Sequence, residues 1–192
     1  MHEALRAFLA DIDELSDTDR EAIAPLIQVD EYPQGHLLLQ AGEIACRCYH
    51  VLRGCVRQYQ LIDGKDKTTA FFTEGQTIVS FASYTQQQPV AHYWECLEDC
   101  VLIVGDMVQE RDAYEQFPQL EVITRRMMAE DFGEMQREMS AFMTASPRDR
   151  YLRLLETRPE LLQRVPQHQL ASFLGVTPES LSRIRRRLRE RS

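Results

Sequence analysis

The stretch LASFLGVTPESLSRIRRRL, residues 170–188, decides how the chain is read. Leu170, Phe173 and Leu174 have helical spacing and run into Gly175, a residue suited to the positive φ at which a helix stops. A second helix starts at about Pro178. Thr177 can cap it, Pro178 loses nothing at the first helical position, and Glu179 sets a carboxylate against the positive end of the helix dipole. On this helix Leu181, Ile184 and Leu188 form the stripe to be buried, and Glu179, Ser182, Arg183 and Arg186 line a different face. The preceding helix, about Gln167 to Leu174, offers Leu170 and Leu174 as anchors, with Ala171 small enough for a close crossing. Counted from Gln167, apolar residues at 4, 8, 10, 15 and 18, with alanine at 5 and glycine at 9, complete a helix-turn-helix pattern.

Charge patterning gives that motif a partner. Residues 145–192 hold eleven arginines against five acids, a balance of +6, and the remaining 144 residues carry −14, which together make the formal −8. An acidic body is repelled by phosphate, so a small C-terminal module must present Arg183, Arg185, Arg186, Arg187, Arg189 and Arg191 to double-stranded DNA while the rest stands away.

At 192 residues and 44% apolar composition the chain can hold a medium domain and a small one. No apolar run approaches the ~18 residues of a membrane span, and the acidic, amphipathic N-terminus is unlike a signal peptide. The expected location is cytoplasmic, without a membrane partner. Cys46, Cys48, Cys55, Cys96 and Cys100 are odd in number and match no common zinc or iron–sulfur spacing, so they read as core filler on strands, with no metal.

Outward from the motif, residues 3–27 read as one or two short helices, and 28–105 as short strands broken by turns. HLLLQAGE is a strand and a glycine turn. CRCYHVLRGCVRQYQLIDGKDKTTAFFTEG is three strands, with Gly54 between the first two and a tight hairpin at DGK. VAHYWECLEDCVLIV is two more across ED. At least seven strands with no long helix between them predict an antiparallel barrel or jelly roll, hence an α+β chain, and exclude a parallel sheet.

Helix formers return after Asp106, and Pro118 opens a helix to about Met143, near 39 Å long. Met128, Phe132, Met135, Met139 and Phe142 advance by 4, 3, 4 and 3, the rhythm of a coiled-coil seam. Such a stripe can also pack on the barrel. Helix length, and the need of a helix-turn-helix for two half-sites, favour pairing with a second copy as a homodimer. Ser146 and Pro147 break the pattern. The predicted domains are therefore 1–145, with the dimerisation helix at about 118–143, and 146–192.

This order of parts resembles the Crp-Fnr superfamily of bacterial transcription regulators. The resemblance covers nearly the whole chain; LQAGEIACRCYHVLRGCVRQY matches the family's barrel segment at Gly42, Glu43, Gly54, Val56 and Arg57. It implies a homodimer with an effector-sensing barrel and recognition helices in successive major grooves, and it admits RNA polymerase as a partner. Glu179, Ser182 and Arg183 stand where the family shows E-x-x-S-R. Chemically, Arg183 suits guanine O6 and N7, Glu179 the cytosine amino group, and Ser182 either role. Gln167, Thr177, Ser180, Arg186 and Arg187 are the expected phosphate-contacting or positioning residues. Relatives often carry a β wing after the recognition helix, and none is expected here.

One departure concerns the effector. Cyclic-nucleotide binders carry G-E followed by R-S/T-A, and here Val79–Ser80 and Val90–Tyr93 stand in those places. No arginine lies between Arg57 and Arg111, so a buried cyclic phosphate has no cation and cyclic AMP is not expected in the usual mode. No cofactor is expected. Val79, Ser80, Tyr84, His92 and Trp94 are the candidate lining for an unknown small-molecule effector, although aromatics on strands also serve packing. A regulator gated by a second messenger in an atypical pocket is the alternative. A cupin-type barrel enzyme is disfavoured because His36, His50 and His92 are isolated.

Overall fold

The computed structural model describes residues 2–190, without the side chains of 107–109. Arg191, counted above with the arginine cluster, lies outside the described residues. Two short helices open the chain: α1 (Glu3–Ala10) and α2 (Asp17–Ile23), the second started by a reciprocal capping box between Ser16 and Asp19.

Eight strands follow: β1 (Gln28–Tyr32), β2 (Leu37–Leu39), β3 (Cys48–Arg53), β4 (Val56–Ile62), β5 (Lys65–Phe72), β6 (Thr77–Ile78), β7 (Tyr93–Cys96) and β8 (Cys100–Gly105). They form two four-stranded antiparallel sheets, β1-β8-β3-β6 and β2-β7-β4-β5. This is the predicted jelly roll. The β4–β5 hairpin turns at Asp63 and Gly64, both at positive φ (52° and 72°), which suits the right-handed twist of the flanking strands. Gly54 is required for space as well as conformation: at φ 113° a Cβ there would lie 2.5 Å from the Cys100 sulfur.

Between the sheets, Leu39, Tyr49, Val51, Val56, Ile78, Trp94, Leu102 and Val104 fill the interior. A second cluster covers the outer face of the first sheet, where α1, α2 and the connection after them bring Leu5, Leu9, Ile12 and Ile23 against Val29, Leu52 and Ile103. Cys55, Cys96 and Cys100 are buried as expected, whereas Cys46 is exposed on the β2–β3 loop and is not core filler.

Two helices bracket the last strands. Helix α3 (Phe81–Gln86) interrupts the barrel between β6 and β7, and α4 (Met107–Gln116) follows β8. The long helix α5 runs Pro118–Thr144, within a residue of its predicted end. Its first third joins the second cluster through Leu120, Ile123 and Met127. The C-terminal unit comprises α6 (Pro147–Thr157), α7 (Leu161–Arg164), α8 (Gln167–Phe173) and α9 (Pro178–Arg189). Tyr151, Leu154, Leu161, Leu170, Leu174 and Leu181 make its core. That core also takes in Cys55 and Phe71 of the barrel, so apolar packing crosses the boundary read at Ala145.

Candidate nucleic-acid interface

Helices α8 and α9 form the turn the sequence requires. Gly175 has φ +71°, and the Thr177 hydroxyl caps α9 by accepting from the Ser180 N–H at 3.3 Å. Leu170, Ala171, Leu174 and Leu181 are buried to 3% exposure or less, and Ile184 and Leu188 are half-buried against them. On the opposite side Glu179, Ser182 and Arg183 are exposed, as are Arg186 and Arg187.

That exposed face is internally ordered. Arg183 donates to the Ser180 hydroxyl at 3.2 Å, and Thr177 donates to the same oxygen at 3.2 Å. Gln167, at the start of α8, donates to the Ser182 hydroxyl at 3.0 Å, which ties the two helices together across their polar faces. Glu179 is held below its usual carboxylate range by its own backbone N–H and the Thr177 hydroxyl, so it stays an ionised acceptor. The structure thus brings Gln167, Thr177, Glu179, Ser180, Ser182 and Arg183 to one surface. Arg186 lies farther along the helix, 3.8 Å from Glu190.

The seam residues of α5 also face outward within the single chain. Phe132, Met135 and Met139 are 54%, 57% and 64% exposed, and Met128 is half-buried. Phe142 differs from the others, because the Arg150 guanidinium lies 3.8 Å over its ring. Arg150 Nε also donates to the Phe142 carbonyl at 3.0 Å, while Nη1 reaches the Leu174 carbonyl at 3.2 Å. One side chain therefore joins the end of the seam helix to the turn before α9. Nothing in the local sequence of Arg150 marks it for this place.

Further contacts dock the C-terminal unit on its own barrel. Arg164 spans Glu74 and Glu98, with 2.8 and 2.9 Å bonds to the first and two nitrogens on the second. Burial raises the Glu74 carboxyl, but hydrogen bonds from Arg164 and from the Gly54 N–H outweigh it and leave it low. Arg158 donates to the Phe71 carbonyl at 3.0 Å and to Thr73 and Gln76 at 3.1 Å each. The Ser172 hydroxyl accepts from the Thr68 N–H at 3.0 Å, and Phe71 and Phe173 stack edge to face. These partners lie 66–104 residues apart, out of reach of any reading of local pattern.

The five residues assigned to an effector pocket do not converge. Trp94, 1% exposed, fills the barrel interior, donating to Gln58 at 2.9 Å and meeting Tyr49 edge-on at 6.2 Å. His92 lies beside it, its ring centroid 5.4 Å away and its Nε2 buried without a hydrogen-bond partner. Tyr84 belongs elsewhere: its hydroxyl donates to Glu110 at 3.4 Å, and Cys48 donates to the same carboxylate at 2.9 Å. Val79 and Ser80 are half-buried ahead of α3. Among the described residues no group of His, Cys, Asp and Glu is placed to hold a metal. No helix in that range is long and apolar enough to cross a membrane.

A jelly roll, a long helix with an open apolar face and a capped helix-turn-helix define the architecture, and the likenesses to known proteins fall there. Residues 29–116 match the family model described as cyclic nucleotide-binding domain. FixK2 from Bradyrhizobium japonicum is similar over 86% of this chain and 85% of its own, at 20% identity and TM-score 0.68. The c-di-GMP-responsive regulator CLP of Xanthomonas campestris aligns over 88% and 90%, at 18% and 0.67. A CooA mutant from Carboxydothermus hydrogenoformans aligns over 95% and 83%, at 14% and 0.66. Among curated proteins none matches. The chain shares the fold of these solved structures, and the matched stretch, residues 29–116, makes up most of its barrel.

Proposed function

We propose that the protein is a sequence-specific DNA-binding transcription regulator that acts as a homodimer, with residues 146–192 as its reading unit and 1–145 as its sensing and pairing unit. The observation that carries this reading is the division of α9: Leu181 is sealed against α8, while Glu179, Ser182 and Arg183 stand in solvent already ordered by Thr177, Ser180 and Gln167. A helix so divided can enter a major groove with its base-reading side chains forward. Arg186 and Arg187 then meet phosphates. The exposed seam of α5 supplies the second copy and with it a second half-site.

The barrel is read as a sensor that does not take cyclic AMP in the usual mode, because no arginine lies between Arg57 and Arg111, the stretch that holds Val79–Ser80 and Val90–Tyr93. A role in transcription places the protein in the cytoplasm, with RNA polymerase as a further partner, and no enzymatic activity is assigned to it. Selection of binding sites from random duplexes tests the whole reading: a two-fold symmetric site should emerge. With Arg183→Ala, affinity for that site should drop by about 1–3 kcal/mol and preference should blur at one base pair per half-site. An unchanged preference would remove Arg183 from the base-reading set.

A further inference from the structure

The β2–β3 loop, together with Leu38, Leu39, Tyr49 and Trp94, lines an open cavity of about 610 Å³, a size that suits a small organic ligand. Trp94 and Tyr49 lie at its base, and Leu38, Leu39 and Ile44 form apolar walls. The loop is held in place. Gly42 donates to the Val90 carbonyl at 2.8 Å, Val90 returns a bond to the Glu43 carbonyl at 2.9 Å, and Ala45 donates to the Ser83 hydroxyl at 2.8 Å. Such a cavity is formed before any ligand arrives.

Two charged side chains stand at its rim, and they differ in how they are satisfied. The Glu43 carboxylate turns back into its own loop and accepts from the Gln40 N–H at 2.8 Å. Arg47 is hydrogen-bonded to the Tyr49 hydroxyl and, among the described residues, makes no ion pair with a carboxylate. Elsewhere in the chain, Arg57, Arg126 and Arg164 are each paired with acids. Arg47 thus stands at an apolar, aromatic-floored hollow with a guanidinium that, among the described residues, no carboxylate pairs.

From this geometry we infer that the cavity binds a small apolar monocarboxylate, its carboxylate on the Arg47 fork and its hydrocarbon or aromatic body against Leu38, Ile44 and the Tyr49–Trp94 base. A planar guanidinium matches a carboxylate with two parallel hydrogen bonds. A phosphomonoester suits the site less well, because it brings nearly two negative charges at neutral pH to one cation with Glu43 close by. The inference deepens the reading of the barrel as a sensor and rests on it for its consequence, but occupancy of the cavity can be measured without DNA.

Trp94 is the single tryptophan of the chain, so its emission reports on the cavity. Benzoate, phenylacetate and octanoate are titrated against the full-length protein, each beside its uncharged amide, with cyclic AMP and inorganic phosphate as further arms. Calorimetry repeats each titration with a readout independent of the fluorophore. At least one acid should give a saturable change by both methods, with its amide, cyclic AMP and phosphate silent. Arg47→Gln, an exposed substitution expected to leave the melting temperature unchanged, should raise Kd tenfold or more, and Ile44→Asp should weaken binding as well.

The inference is overturned if none of the acids saturates the signal, if an amide binds as well as its acid, or if Arg47→Gln binds with unchanged Kd. Tighter binding of phosphate than of any acid would overturn the carboxylate assignment too. A separate measurement follows the affinity for a selected DNA site with and without the acid. Binding that leaves DNA affinity unmoved keeps the site and sinks the sensor reading of the barrel. Failure to bind any duplex sinks the regulator reading, while the ligand titration stands by its own result.

Discussion

His50 shows what burial does to a single titratable side chain. It is 8% exposed beneath the Phe8 ring, with Nδ1 3.3 Å from the Thr77 hydroxyl and Nε2 unpartnered, and burial lowers its pKa to about 4. The folded state therefore holds a neutral imidazole, whereas the unfolded chain takes up a proton near pH 6.5. Between those values the unfolded state binds more protons, so stability is fully present above about pH 6.5 and is lost as pH falls towards 4. Asp131 bonds to the same Thr77 and has the opposite sign, since burial raises its carboxyl and favours the protonated folded form. Melting temperature should therefore fall from pH 7 to 5 more steeply in the wild type than in His50→Leu; parallel profiles would rule the imidazole out. At this scale the sequence was informative where side-chain placement follows from helical spacing, as for the Thr177 cap and the exposed Ser182 and Arg183. It was silent on Arg47 and His50, whose surroundings come from segments distant in the chain.

Among the elements, α5 and the strands around Gly54 and Gly64 were legible because their signals are local: a proline start, an apolar rhythm, glycines where φ is positive. Helix α3 was not, since FASYTQ has no helical stripe and no side-chain cap. The candidate pocket residues were drawn from β-like sequence on both sides of it, and the helix that intervenes turns Tyr84 away from Trp94. The seam helix has a second duty through Arg150. Phe132→Glu with Met139→Glu should leave a folded monomer in sedimentation velocity and weaken binding to a two-half-site duplex. Arg150→Met should keep the dimer yet lose DNA affinity, because the turn before α9 is no longer tied to Phe142. Monomer formation by Arg150→Met would show that the residue only supports pairing.

For the molecule as a whole, Arg158 and Arg164 make one packed body of two units that the composition separates. Charge and helix pattern divide the sequence near Ala145, but the partners of these arginines, Phe71 on β5 and Glu74, Gln76 and Glu98 in barrel turns, carry no sign of the pairing. Removing Arg164 leaves the partly exposed carboxylates of Glu74 and Glu98 unpaired, so Arg164→Gln should cost about 1 kcal/mol and hasten proteolysis near Ala145 without abolishing either fold. Protection equal to wild type would mean that the apolar contacts of Phe71 and Phe173 suffice. The open face of α5 has one more consequence, chemical in kind. That helix holds five of the seven methionines, and Met143 is 73% exposed. Peroxide converts such thioethers to polar sulfoxides, so oxidant stress should split the paired chains, and methionine sulfoxide reductase should restore them; a sedimentation profile indifferent to peroxide would deny the link.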